Sequence, residues 1–226
     1  MIVVIISANS EWKAVLEVLD PASRLPNPYS EHFFSEVNGE AVVFIHGGWG
    51  KISAAATAQY AIDTWHPRLI INLGTCGGLA GAITAGETIL VNETVVYDIY
   101  ERMSDPAQAL HFYTTALDLS FIFLPYPMTV RVGRIASADQ DIDPALVKTL
   151  REQFHVAAAD WESGSIAWVS QHNSTPCLIL RTVSDIVNET EGEIYFDNAA
   201  QFRERSRTIM QKLIESLPEW IEKINK

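Results

Sequence analysis

Cysteine is almost absent from this sequence: Cys76 and Cys177 are the only two among 226 residues. Such a pair builds no disulfide framework and shows no metal-ligand spacing, which points to a reducing compartment. Basic residues are also scarce. Sixteen Lys and Arg stand against 28 Asp and Glu, for a formal charge of −12. A surface this acidic argues against a general binder of nucleic acid or anionic membranes, although it leaves room for a small basic pocket. Long hydrophobic runs are missing as well, and nothing approaches the ~18 apolar residues of a membrane span. The apolar run Ile2–Ile6 lacks the basic flank and the length of a signal segment. Internal repeats and low-complexity tracts are absent. The expectation is a soluble, cytoplasmic protein with neither nucleic-acid nor membrane partners.

What is present is a core. Hydrophobic residues make up 48% of the chain, enough for one domain spanning residues 1–226. Strand-like apolar runs occur at Ile2–Ile6, Ala41–Ile45, Leu69–Leu73, Thr88–Val91, Thr129–Ile135 and Cys177–Leu180. Helical patterns occupy Glu11–Leu19, the Ala-rich Lys51–Trp65, Pro144–Phe154, Glu162–His172 and a C-terminal stretch from about Asn198 to Ile224. This alternation predicts an α/β fold, a three-layer α/β/α sandwich with a mixed, largely parallel central sheet. Residues 20–30 are Pro-rich. Residues 100–128 mix aromatics with Pro and have poor periodicity, as a lid, a binding loop or a subunit contact would.

Chemistry-bearing residues gather where strands end. "LILRTVSDIV" opens with three aliphatics, then delivers Arg181, Ser184 and Asp185. In isolation it reads as a strand followed by a turn and a helix cap. "HGGWGK" and "NLGTCGG" put glycines just after two other strands, where backbones turn sharply and approach ligands closely. Neither is a P-loop nor a dinucleotide fingerprint. "ASADQDID" follows a further strand, and "ADWESGS" opens a helix. Taken singly, Glu11 and Glu162 are acids that complement a helix N-terminus.

Taken in order, these pieces resemble the purine nucleoside phosphorylase/uridine phosphorylase superfamily. Within it, the chain is most similar to the 5'-methylthioadenosine/S-adenosylhomocysteine nucleosidases. The resemblance implies roles by position. Asp185, paired with Ser184, faces the purine N7 and protonates the leaving base. Glu162 binds the ribose hydroxyls, and Trp161 replaces a Met that stacks on the sugar. Glu11 activates water, and Arg181 lies near the nucleophile. Thr75, Cys76 and Gly77 form the turn beside the substrate. Asp141 and Ile142 border the base, and Asp141 stands where similar nucleosidases carry an aromatic that stacks on adenine. Asp139, Gln140 and Asp141 read instead as hydrogen-bonding groups, which leaves open another base or a futalosine-like substrate. No metal or organic cofactor is implied. The partners implied are a small nucleoside, within methionine salvage, and further copies of the chain, with a homodimer favoured. Phosphorylases of this superfamily hold phosphate with arginines, one commonly just before the Gly-rich turn. Here Asn72 and Leu73 occupy that place, so hydrolysis is expected. A phosphorylase, or a silent nucleoside-binding relative, is the alternative.

Overall fold

The computed structural model describes residues 1–194 and 199–224. In chain order the elements are β1 (Ile2–Ile6), α1 (Asn9–Leu19), β2 (Leu25–Pro26), β3 (Glu31–Val37), β4 (Glu40–His46), α2 (Gly50–Trp65), β5 (Leu69–Leu79), β6 (Thr88–Val96), α3 (Pro106–Phe112), β7 (Thr114–Ala116) and β8 (Arg131–Ser137). A 3-10 turn (Pro144–Leu146), α4 (Val147–Glu152), β9 (Ala158–Asp160), α5 (Ser163–His172), β10 (Cys177–Val187) and α6 (Ala199–Glu222) follow.

The sheet is mixed. β5 pairs in parallel with β1 and β10, and β1 with β4, while β6 runs parallel to β8 and β8 to β9. Antiparallel ladders join β10 to β6, β5 to β9, β6 to β7, and the hairpins β2–β3 and β3–β4. Because β5 pairs with both β9 and β10, the circuit β5–β10–β6–β8–β9 closes on itself. The arm β1–β4–β3–β2 extends from β5.

Layers cover both faces. The strand residues Ile2, Val4, Ile71 and Leu180 pack with α1 and α6 through Val15, Met210, Leu213 and Trp220. The alternate residues Val3, Ile5, Ile70 and Ile179 pack with α2 and α5 through Ala54, Ala58, Ile166 and Ala167. The alternation of side chains along a strand thus divides the core between two helical layers, as the three-layer expectation requires. The small residues of α2 let that helix lie close on the sheet.

Several elements run beyond the sequence expectation. β5 continues through Gly74–Leu79, and β10 continues through Arg181–Val187, where a turn and a cap were expected. Their pairing holds to Val187↔Leu79, with a register shift between Val183 and Asp185. The expected helix 144–154 is a 3-10 turn, with Asp143 accepting from the Ala145 N–H at 2.9 Å, followed by the short α4. Residues 20–30 contribute β2, and 100–128 contribute α3 and β7. Asn198, the expected start of the last helix, lies outside the described residues.

Candidate active site

Four elements bring polar groups to one point. Strands β1, β5 and β10 run side by side in parallel, so their C-terminal halves open toward the same end of the sheet, where α/β folds bind ligands. A cavity of about 390 Å³ lies there, within the size range of small-molecule sites. Among the expected residues, Glu11, Thr75, Cys76, Gly77, Asp141, Ile142, Trp161, Glu162, Ser184 and Asp185 line it. Arg181 does not.

Arg181 is 1% exposed and lies beneath the cavity floor. Its Nε contacts Asp160 Oδ2 at 2.8 Å and donates to Ser163 Oγ at 2.9 Å. Its Nη2 donates to Asn72 Oδ1 at 2.7 Å and lies 3.7 Å from Glu162 Oε2. A buried cation is tolerable only when paired and hydrogen-bonded. Burial opposes the charge, but Asp160 and Glu162 more than offset it, and the guanidinium stays protonated. Gly74 makes this placement possible, since a Cβ there would sit 2.1 Å from Arg181 Nη1. The Gly-rich stretch is therefore a strand whose missing side chain admits the arginine. Asn72, in the place where an arginine was looked for, bridges Arg181 to β1 by donating to the Ile5 carbonyl at 2.9 Å.

Glu11 is 2% exposed, in the first turn of α1. Its Oε1 accepts from the Thr75 N–H at 2.6 Å and from Thr75 Oγ1 at 2.8 Å, and its Oε2 accepts from the Ala8 N–H at 3.2 Å. The carboxylate thus ties α1 to β5 and still borders the cavity. Ser184 donates to Asp185 Oδ1 at 2.5 Å and approaches the Cys76 carbonyl at 3.2 Å. Burial raises the Asp185 carboxyl above its usual range, with Glu193 and Asp141 adding to the rise and Ser184 and Arg205 opposing it. Such a carboxyl is suited to holding a proton for a leaving group.

Glu162 precedes α5 and is 8% exposed. Burial pushes its carboxyl from 4.5 up to about 8, with Asp160 and Glu11 adding to the rise and Arg181 and the Gly50 N–H opposing it. That N–H donates to Glu162 Oε1 at 3.1 Å.

The sequence reading missed several residues at the site. Asp160 lines the cavity, grips Arg181, and accepts from Ser137 Oγ at 2.6 Å. Its signal was an acid two positions before Glu162 in an otherwise apolar strand. Ala8, Ser10, Trp49 and Phe202 also line the cavity; Trp49 stands within the HGGWGK motif, whose glycines alone were singled out. Asp139 is displaced from its expected place: it does not border the cavity but accepts from the Lys51 N–H at 2.6 Å. Gln140 and Asp141 do border it. Among the described lining residues, five are carboxylic acids and none is Lys, Arg or His.

The sequence profile of the phosphorylase superfamily matches residues 3–218. A 5'-methylthioadenosine/S-adenosylhomocysteine nucleosidase from Halalkalibacterium halodurans is 30% identical over 179 residues, covering 74% of this chain and 77% of the relative. The crystal structure of the Helicobacter pylori 5'-methylthioadenosine/S-adenosylhomocysteine nucleosidase has a TM-score of 0.81 at 17% identity, covering 99% of this chain and 98% of the other. The futalosine hydrolase of Helicobacter pylori also has a TM-score of 0.81 at 17% identity, covering 99% and 97%. At those identities the two structures speak for the fold.

Proposed function

This chain belongs to the phosphorylase superfamily, and within it we propose a nucleosidase that hydrolyses the N-glycosidic bond of a purine-type nucleoside, with 5'-methylthioadenosine and S-adenosylhomocysteine as the substrate class. The observation that carries this reading is the charge of the cavity wall: carboxylic acids with no lining cation among the described residues. An anionic phosphate in that wall lacks a partner. A ribose acquiring oxocarbenium character does not.

The roles follow from position. Asp185, its Oδ1 engaged by Ser184, gives its proton to the base at N7, because a purine anion is a poor leaving group. Glu162 holds the ribose hydroxyls. Burial holds its proton up to about 8, and the positive charge developing on the sugar favours its ionised form. Glu11, fixed by two bonds from Thr75, takes a proton from the water that attacks C1′. Trp161 covers the sugar. Arg181 acts from below by balancing Asp160 and Glu162, not by touching the reacting atoms. Acid–base steps of this kind are worth roughly 10²–10⁴-fold each.

The protein acts as one domain in the cytoplasm, within methionine salvage. Support for a reducing compartment comes from two buried free thiols. No helix among the described residues is long and apolar enough to cross a membrane. A homodimer is part of the proposal. Trp49 at the cavity wall and Ile52 on α2 are 63% and 85% exposed, and Tyr100 and Met103 are 77% and 97% exposed. Asp98, two residues before Tyr100, contacts Lys51 beside them. Light scattering on the purified protein tests this, with a monomer at micromolar concentration as the contrary result. The enzymatic test is a nucleoside panel followed by free-base release, with and without phosphate.

A second reading concerns the base. Asp141 and Gln140 border the cavity, at the position where the resemblance implies an adenine-stacking ring in similar nucleosidases and hydrogen-bonding groups here. A base richer in hydrogen-bond donors, or a futalosine-like nucleoside, therefore belongs on the same panel.

A further inference from the structure

Three charged residues outside the cavity converge on the backbone that holds Glu162. Lys51 follows Gly50 in the first turn of α2. Its side chain pairs with Asp98, and its Nζ lies 3.8 Å from Asp139 Oδ2. Its backbone N–H donates to Asp139 Oδ1 at 2.6 Å, and the Asp139 N–H donates to Asp98 Oδ2 at 3.0 Å. Asp98 lies just past the end of β6 and Asp139 just past the end of β8. The cluster thus ties two strand ends to the start of one helix. Lys51 and Asp98 are each only 20% exposed, so the pairing is partly shielded from water, unlike a typical surface ion pair.

We propose that Lys51, Asp98 and Asp139 are positioning residues that fix the Gly50 N–H over Glu162 and so keep its carboxyl facing the cavity. This rests on Glu162 being the ribose-binding group proposed above. Two consecutive N–H groups at the start of α2 meet two carboxylates: Gly50 donates to Glu162 at 3.1 Å and Lys51 to Asp139 at 2.6 Å. Helix N-termini leave such donors free and favour negative charge beside them. Asp139 occupies the second donor, and the first is left to Glu162. The fit at Gly50 is close, since at φ +77° a Cβ would sit 2.7 Å from Asp139 Oδ1. The loop before it is anchored at Gly47, whose N–H donates to the Ile6 carbonyl at 2.7 Å and whose carbonyl accepts from Ser53 Oγ at 2.7 Å and Thr57 Oγ1 at 3.1 Å; the cluster adds the restraint on the other side of Gly50, through the adjacent Lys51 N–H. None of the three residues lines the cavity.

The groups facing Glu162 from other elements are Arg181 on β10, Asp160 on β9 and Glu11 on α1. Arg181 is held by Asp160, Asn72 and Ser163 and does not move to replace a lost Gly50 bond. Losing that bond therefore removes support from the ionised form of Glu162.

The test is Lys51→Met, with Lys51→Arg as the conservative variant and Asp98→Asn in reserve should Lys51→Met not fold. Base release from the nucleoside the wild type cleaves best gives the first readout. The expected result is a kcat loss of about ten- to a hundredfold for Lys51→Met, the scale of a misplaced catalytic group, largely restored by Lys51→Arg. The second readout needs no activity: denaturation of Lys51→Met in the wild-type and Glu162→Gln backgrounds between pH 6 and 9. With Glu162 present, the cost of Lys51→Met grows as pH rises, and in the Glu162→Gln background it stays flat. A kcat within twofold of wild type, or a cost that is equal in both backgrounds at every pH, overturns the proposal. If the wild type releases no base from any nucleoside, the functional reading falls and the stability cycle alone decides the positioning claim.

Discussion

Replacing Glu162 with Gln is expected to disable the protein and stabilise it. The sign follows from the proton. Below pH 4.5 the carboxyl is protonated in both folded and unfolded chains, and its burial has no charge to penalise. Between 4.5 and about 8 the unfolded chain gives up a proton that the folded chain retains. Unfolding then releases a proton, so stability falls as pH rises across that window. Above about 8 the loss is complete. At about 1.36 kcal/mol per pH unit, the interval from 4.5 to about 8 amounts to about 5 kcal/mol. This is an upper bound, because the variant also removes the partner lying 3.7 Å from Arg181 Nη2, while Asp160 at 2.8 Å remains. Gln keeps an oxygen for the Gly50 N–H. A net gain of about 2 kcal/mol or more at pH 8 is expected, with little difference at pH 5; for a chain of this size that is a Tm rise of roughly 4–8 °C. Thermal and urea unfolding across pH 5–8.5 measure it, alongside base release, which is expected to fall by orders of magnitude. Parallel stability profiles for wild type and variant would refute the reasoning and leave Glu162 an ordinary helix-terminal acid. In that case the substitution changes stability by at most about 1 kcal/mol.

Asp185→Asn is expected to lower kcat by roughly 10²–10⁴-fold with little change in KM. In the wild type, activity falls as rising pH removes the Asp185 proton, and the variant's pH–rate profile lacks that limb. Asp141→Phe puts a ring at the position where the resemblance implies adenine stacking, and a panel comparison is expected to show up to about tenfold better use of 5'-methylthioadenosine; loss of all activity would place the base chemistry at Asp141 instead. Gly74→Ala puts a methyl group 2.1 Å from Arg181 Nη1, so soluble expression or Tm is expected to drop sharply, and a variant of wild-type stability would contradict the packing of Arg181 against Gly74.

The sequence was most legible where one physical rule acts alone. Ile2–Ile6 has a single job, burial, and its apolar run located β1; the Ala-rich composition of Lys51–Trp65 located α2 through helix propensity. It was least legible where burial and chemistry share a strand. β5 and β10 carry glycines and charges through their C-terminal halves, which is the composition of turns and caps. They remain strands because the ladder between them continues to Val187↔Leu79 and because their polar side chains find partners inside: Arg181 in Asp160 and Asn72, Ser184 in Asp185. Violations of local rules cluster at functional sites, and here they coincide with the cavity. Glu11, Glu162 and Asp185 were found through their ordered motifs. Asp160 was missed because a single acid at the end of a short apolar strand reads as a turn residue until its partners Arg181 and Ser137 are seen. Asp139 was misplaced because "DQD" is silent about which acid turns inward and which turns to Lys51. The closed circuit β5–β10–β6–β8–β9 was invisible because closure depends on which strands pair, and each strand looks the same from within.

Whether water or phosphate attacks C1′ is decided by reaction in oxygen-18 water without phosphate. Incubation of the purified protein with its nucleoside in phosphate-free buffer containing labelled water is expected to release free base and a ribose product carrying the label at C1. Base release that requires added phosphate, with unlabelled ribose 1-phosphate as the product, would contradict hydrolysis.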